Sequence, residues 1–96
     1  MKEYHDFEPI PGVDGKGYCA LQIYKPGTFF GRNDQFGVMV GGCGVGGKKT
    51  LREAKAFLLE RAIVYCQRII DESQHKIDYY GKQIERLRAE GLREVK

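Results

Sequence analysis

After Thr50 the chain contains no proline, and an isoleucine recurs every seventh residue at Ile63, Ile70, Ile77 and Ile84, with Ala56 in phase before them. Proline ends helices by removing a backbone donor and clashing with the preceding turn, so nothing of that kind interrupts this half of the sequence. Three positions after each member of the series stand Leu59, Cys66, Ser73, Tyr80 and Leu87, completing an a/d seam. The start is defined by the segment TLRE, a capping box. In it the Thr50 hydroxyl accepts from the backbone N–H of Glu53, and the Glu53 carboxylate returns to the N–H of Thr50. These signals predict one helix over 50–91, roughly 60 Å long at 1.5 Å per residue.

A helix of that length outruns its own domain, so its seam predicts a partner. Leu59, Ile63, Ile70, Ile77, Tyr80, Ile84 and Leu87 are assigned to self-association as a coiled coil. The competing reading is a break near Glu72–His75 that folds the two halves into a hairpin. The pairs Glu72/Lys76 and Asp78/Lys82 have the favoured i, i+4 orientation and argue for continuity, and ESQH offers no glycine for a turn.

Upstream the periodicity changes from helical to alternating. Cys19, Leu21 and Ile23 share one face of a strand, Tyr18, Ala20, Gln22 and Tyr24 the other, and Pro26-Gly27 ends it. Phe36, Val38 and Val40 alternate with Gly37, Met39 and Gly41 as a second strand, which Cys43–Val45 either extends or bulges. Residues 1–17, with Pro9, Pro11 and no periodicity, are expected to form an irregular arm. The predicted fold is therefore α+β in a single domain over 1–96: an arm over 1–17, a small antiparallel sheet with a Gly-rich turn over 18–49, and a long C-terminal helix.

Charge and cysteine usage narrow the function. The net charge of +3 is spread evenly along the chain, unlike the concentrated basic surface of proteins that grip a phosphate backbone, so nucleic acid is not favoured. No apolar run reaches the ~18 residues of a membrane span, and the N-terminal residues lack the apolar segment of a signal peptide, so a cytoplasmic protein is expected. Cys19, Cys43 and Cys66 are odd in number and widely spaced, which argues for free thiols rather than disulfides or zinc. His5 and His75 have no partners at metal-ligand spacing. No nucleophile and base stand at a recognisable spacing, and the chain is expected not to be an enzyme and to need no cofactor.

The most distinctive segment is GGCGVGGKKT, Gly41–Thr50, between a strand and a helix start. Against the phosphate-binding pattern G-x-x-x-x-G-K-[ST], Gly42, Gly47 and Lys48 match. Lys49 stands where a hydroxyl belongs, and Thr50 comes one place late. The chemistry remains suited to an anion: glycines that let the backbone wrap, free N–H groups at a helix start, and two lysines. The expected ligand-binding residues are Gly44, Gly46, Gly47, Lys48, Lys49 and Thr50, joined by Phe29, Phe30 and Arg32, whose aromatic-plus-arginine composition suits stacking on a base. The bland alternatives are a capped glycine turn and a pair of core-filling phenylalanines.

The order strand, strand, glycine turn and GKKTLREAKAF helix resembles HicB-like antitoxins and the arm-binding domains of tyrosine recombinases over residues 17–66, through Thr50, Glu53 and Ala54 at the helix start. The plan of a small sheet followed by self-associating helices resembles the phage-encoded anti-defence proteins that counter Thoeris immunity by sequestering a cyclic ADP-ribose signal. That resemblance implies a non-catalytic oligomeric sponge for a phosphorylated nucleotide-type ligand, acting in a host cytoplasm; no binding residue is carried over from the family. The alternative is a protein-interaction inhibitor or a small nucleic-acid-binding regulator, using Phe29 and Phe30 or the basic positions Arg52, Lys55, Arg61 and Arg68.

Overall fold

The computed structural model describes residues 4–12, 17–27, 34–73 and 76–95. The expected α+β class holds. Four strands, β1 (Tyr4–Pro11), β2 (Tyr18–Tyr24), β3 (Phe36–Val40) and β4 (Cys43–Lys48), precede two helices, α1 (Leu51–Glu72) and α2 (Ile77–Glu90). The sheet is an antiparallel meander in the order β1-β2-β3-β4. One face is covered by the helices, and the chain leaves α2 to return to the free edge of β1. There Glu8 N–H donates to Arg93 O at 2.7 Å and Val95 N–H to Asp6 O at 2.8 Å, around an antiparallel bridge between Phe7 and Glu94. Among the described residues no helix is long and apolar enough to cross a membrane.

The predicted single long helix is overturned. Helix α1 ends at Ser73, whose N–H closes the last turn on Ile69 O at 2.9 Å, and Lys76 N–H donates back to Ser73 O at 3.0 Å before α2 begins. A coiled coil built on one continuous helix is therefore not open to this chain. The reason is energetic. Folding α2 back buries Tyr80, Ile84 and Leu87 in the core that α2 shares with α1 and with Phe7 and Ile10 of β1, and each such side chain contributes about 1.5–3 kcal/mol. Continuity would keep a few helical hydrogen bonds, each worth about 0.5–1.5 kcal/mol net, and ion pairs worth about 0.2–0.5 kcal/mol. Of the seam residues, Leu59, Ile63 and Ile70 pack at the edge of this core and Ile77 is exposed.

The stripe of α1 that lies on the sheet is Ala54, Leu58, Ala62 and Cys66, spaced by four and fully buried, while Ala56 of the predicted seam is exposed. Two alanines let the helix axis come close to Leu21, Ile23 and Val38 beneath it. The helix start is as expected: Glu53 N–H donates to Thr50 Oγ1 at 3.1 Å. The return contact differs, because the Thr50 hydroxyl itself donates to Glu53 Oε1 at 3.1 Å.

The expected irregular arm is also corrected, since residues 4–11 form β1. A bulge between Phe7 and Ile10 inserts one extra residue against Leu21 and Cys19, so the two buried side chains fall three apart instead of two. Pro9 lies within that bulge and Pro11 at the strand end, both positions where a missing donor is tolerated. The Tyr79 hydroxyl ties α2 to this end of β1 by donating to Pro11 O at 3.1 Å.

Two substitutions measure this architecture. Leu87→Ala should cost about 2–5 kcal/mol in urea unfolding because it opens a cavity where α2 meets the sheet; a loss below about 0.5 kcal/mol, as for a surface position, would refute the fold-back. Thr50→Ala should cost about 1 kcal/mol through the lost cap.

Candidate functional site

A cavity of about 390 Å³ lies between the tip of the β3–β4 hairpin, the start of β2 and the middle of α1. Its hairpin wall is made by a two-residue turn in which Gly41 and Gly42 both have positive φ, +62° and +82°. That is the conformation whose twist matches a right-handed hairpin, and glycine adopts it without a Cβ penalty. The turn is held to β2 by Gly41 N–H donating to Ala20 O at 2.8 Å, and it sets Cys43 directly opposite Val40 on the wall.

The helical wall is Arg61, Val64, Tyr65 and Arg68, positions i, i+3, i+4 and i+7 on one face of α1. Tyr18 and Cys19 complete the lining from β2. Tyr18 is 70% exposed and Val64 39%, so the rim carries two of the large apolar side chains that the fold leaves uncovered.

The electrostatics are one-sided. Among the described residues two arginines line the cavity and no carboxylate does. Arg61 Nε is buried and has no hydrogen-bond partner among them, a state that costs about 1–3 kcal/mol when a donor is left unmet. Burial pushes the Cys19 thiol above its ordinary range, with a hydrogen bond to Tyr65 partly opposing, and burial pushes the Tyr65 phenol up to about 12. Both groups are therefore neutral at physiological pH, and the arginines alone set the charge. The arrangement can hold an anion and cover an apolar or planar body beside it. Among the described residues its lining has no Asp, Glu or His to act as a general base.

The glycine–lysine segment takes a different form from the anion loop expected of it. Gly44, Gly46, Gly47 and Lys48 belong to β4, extended along β3. The glycine at 46 has a packing cause: its φ is +152°, and a Cβ there would stand 3.0 Å from the Phe57 ring, beside the bulge that Val45 makes opposite Val38 and Met39. Lys48 Nζ lies 4.7 Å over the same ring, and the shallow depression beside it is also lined by Glu53 and Glu60, whose carboxylates repel an anion. Lys49 is exposed, and the Thr50 hydroxyl is engaged in the cap. Phe29, Phe30 and Arg32 lie outside the described residues. The structure thus brings together none of the described loop residues around a cavity of their own. Arg61 and Arg68, grouped by sequence with Arg52 and Lys55 as basic helix positions, line one cavity with Tyr18, Tyr65 and Cys43. The i, i+7 spacing of the two arginines around Val64-Tyr65 is the signal that could have marked them.

Cys66 is fully buried beneath α1, as its packing role requires, and burial pushes its thiol up to about 11. His5 Nδ1 pairs with Glu94 Oε2 at 2.9 Å and holds the returning C-terminal segment. Among the described residues no group of His, Cys, Asp and Glu could hold a metal ion. Comparison with protein-family models, with curated proteins and with solved structures finds no match.

The thiols provide a direct check. Cys43 is exposed and should be alkylated by iodoacetamide rapidly in the native protein, whereas Cys19 and Cys66 should react only on unfolding. Because the folded thiol of Cys66 keeps its proton to about pH 11 and an unfolded one releases it near 9, the unfolded state binds fewer protons in that window. Stability is then unaffected by this group below pH 9 and should fall as pH rises from 9 to 11, with Tyr65 extending the loss toward 12. Denaturant midpoints measured across that range would show the decline.

Proposed function

We propose that this protein is a non-catalytic binding protein for a small phosphorylated ligand, held in the cavity between the β3–β4 hairpin and α1. Arg61 and Arg68 take the phosphate by charge-assisted hydrogen bonds, and the Val40, Val45 and Val64 side chains cover the ligand's apolar part. The observation that carries the proposal is a cavity lined by Arg61 and Arg68 and, among the described residues, by no carboxylate. Arg61 Nε is buried and has no partner among the described residues, and a ligand acceptor reaches it once the guanidinium turns toward the cavity. The volume is within the range of small-molecule sites. Sequestration of a nucleotide-type signal is the version of this chemistry that fits a site with donors and no base. Self-association belongs to the same proposal only through surfaces that the folded-back helices leave open, such as the exposed Val64 and Ile77.

Mass spectrometry of small molecules released from the purified protein should find a phosphorylated compound, chemically unchanged. Arg61→Met should weaken its rebinding roughly ten- to hundredfold, since one charge-assisted contact of about 1.5–3 kcal/mol is lost. The same change should leave the ligand-free protein as stable or more stable, because it removes an unmet buried donor. Ligand should slow alkylation of Cys43, and Lys48→Ala with Lys49→Ala should bind normally. Unaltered binding by Arg61→Met combined with lowered stability would make Arg61 structural and end this reading.

A further inference from the structure

The uncovered face of the sheet carries a cavity of the opposite character. Alternation along β2 puts Tyr18, Ala20 and Gln22 on this face, since Cys19, Leu21 and Ile23 are buried beneath the helices. The pairing register sets Tyr4 opposite Tyr24 and Asp6 opposite Gln22. The first pair stacks with ring centroids 5.0 Å apart and planes tilted by 35°. Ala20, small between Tyr18 and Gln22, leaves depth in the floor. The returning C-terminal segment, fixed to β1 by its two backbone hydrogen bonds, contributes Val95 as the remaining wall. The enclosed space is about 320 Å³.

We propose that this cavity, walled by Tyr4, Tyr18, Gln22 and Val95 around Asp6, is a second binding site, specific for an alkylammonium or guanidinium cation. Among the described residues Asp6 is the single charged one of its lining. Among the described residues its carboxylate has no ion-pair or hydrogen-bond partner, although the other acids along this edge are engaged: Glu8 faces Arg86 and Arg93, Glu90 pairs with Arg93, and Glu94 with His5. A carboxylate left open between tyrosine rings attracts a cation twice, by charge and by the negative face of each ring. An anion meets repulsion from both. A metal ion is disfavoured because hard cations need six to eight oxygen ligands and this lining offers few. Pro9 and Val95 give an alkyl stem an apolar path, so an organic cation fits the walls as well as the charge.

The cation could arrive as a free amine or as a basic side chain on a peptide, and two probes separate these sources: agmatine, and an arginine-containing peptide blocked at both ends. Titration of either into isotope-labelled protein should shift the amide resonances of residues 4–6, 18–22 and 95 saturably. Tighter binding by the peptide assigns the cation to a protein partner, tighter binding by agmatine to a small metabolite, and both support the site. Asp6→Asn should weaken binding by at least roughly tenfold. Val95→Lys should block the site by placing its own ammonium beside Asp6, and Val95 is exposed enough for the fold to tolerate the change. Absence of saturable shifts up to millimolar probe, or equal shifts in wild type and both folded variants, would overturn the proposal. Inorganic phosphate, which belongs to the cavity on the other face, should not shift these residues.

Discussion

The close approach of α1 to the sheet is the contact on which the rest of this structure depends. Ala54, Leu58, Ala62 and Cys66 form a fully buried stripe over Leu21, Ile23 and Val38, and the two alanines bring the helix backbone near the strands. That placement leaves α1 over β2, β3 and β4, and β1 would be bare without a second helix. The fold-back of α2 answers that need by adding Tyr80, Ile84 and Leu87 beside α1 to the cluster that holds Phe7 and Ile10. It also turns Arg61, Val64, Tyr65 and Arg68 toward the hairpin tip, where the cavity forms. One stripe of small residues thus fixes both the helical layer and the orientation of the polar groups beside it.

Local chemistry was legible in the sequence wherever it was decided locally. The Thr50 cap, the strands around Leu21 and Val38, and the burial of Cys66 each rest on a few adjacent residues. What escaped was decided by tertiary contacts. The heptad of isoleucines outweighed Ala54 and Ala62 because hydrophobic scoring favours large side chains, whereas close packing selected small ones. The turn after Ser73 carries no strong local signal; the burial available to α2 created it. Strand β1 was hidden by its bulge, which shifts Phe7 and Ile10 out of the two-residue period.

The candidate site shows the same division. A glycine-rich segment before a helix start looked like an anion loop, but its glycines serve a hairpin turn and a close contact with Phe57. Arg61, which carries the unmet donor, and Arg68 lie about three and five turns into α1, and their cavity partners Tyr18 and Cys19 stand more than forty positions earlier in sequence. Only the pairing of β2 with β3 brings Tyr18 and Cys19 to them. The sheet consequently separates two environments of opposite electrostatic preference, positive under the helices and negative on the open face, with Tyr18 at the border of both.

The C-terminal segment that pairs with β1 also bears on how the chain is made. The edge of β1 precedes its partner, residues 93–95, by more than eighty positions and is synthesised well before it. During translation the meander can assemble while one of its margins still presents unpaired backbone groups, a template for pairing with neighbouring nascent chains. Closure of that margin joins residues more than eighty positions apart and is slow to reach relative to local helix formation. Crowding on a polysome would therefore be more hazardous to this protein than the stability of the finished fold suggests.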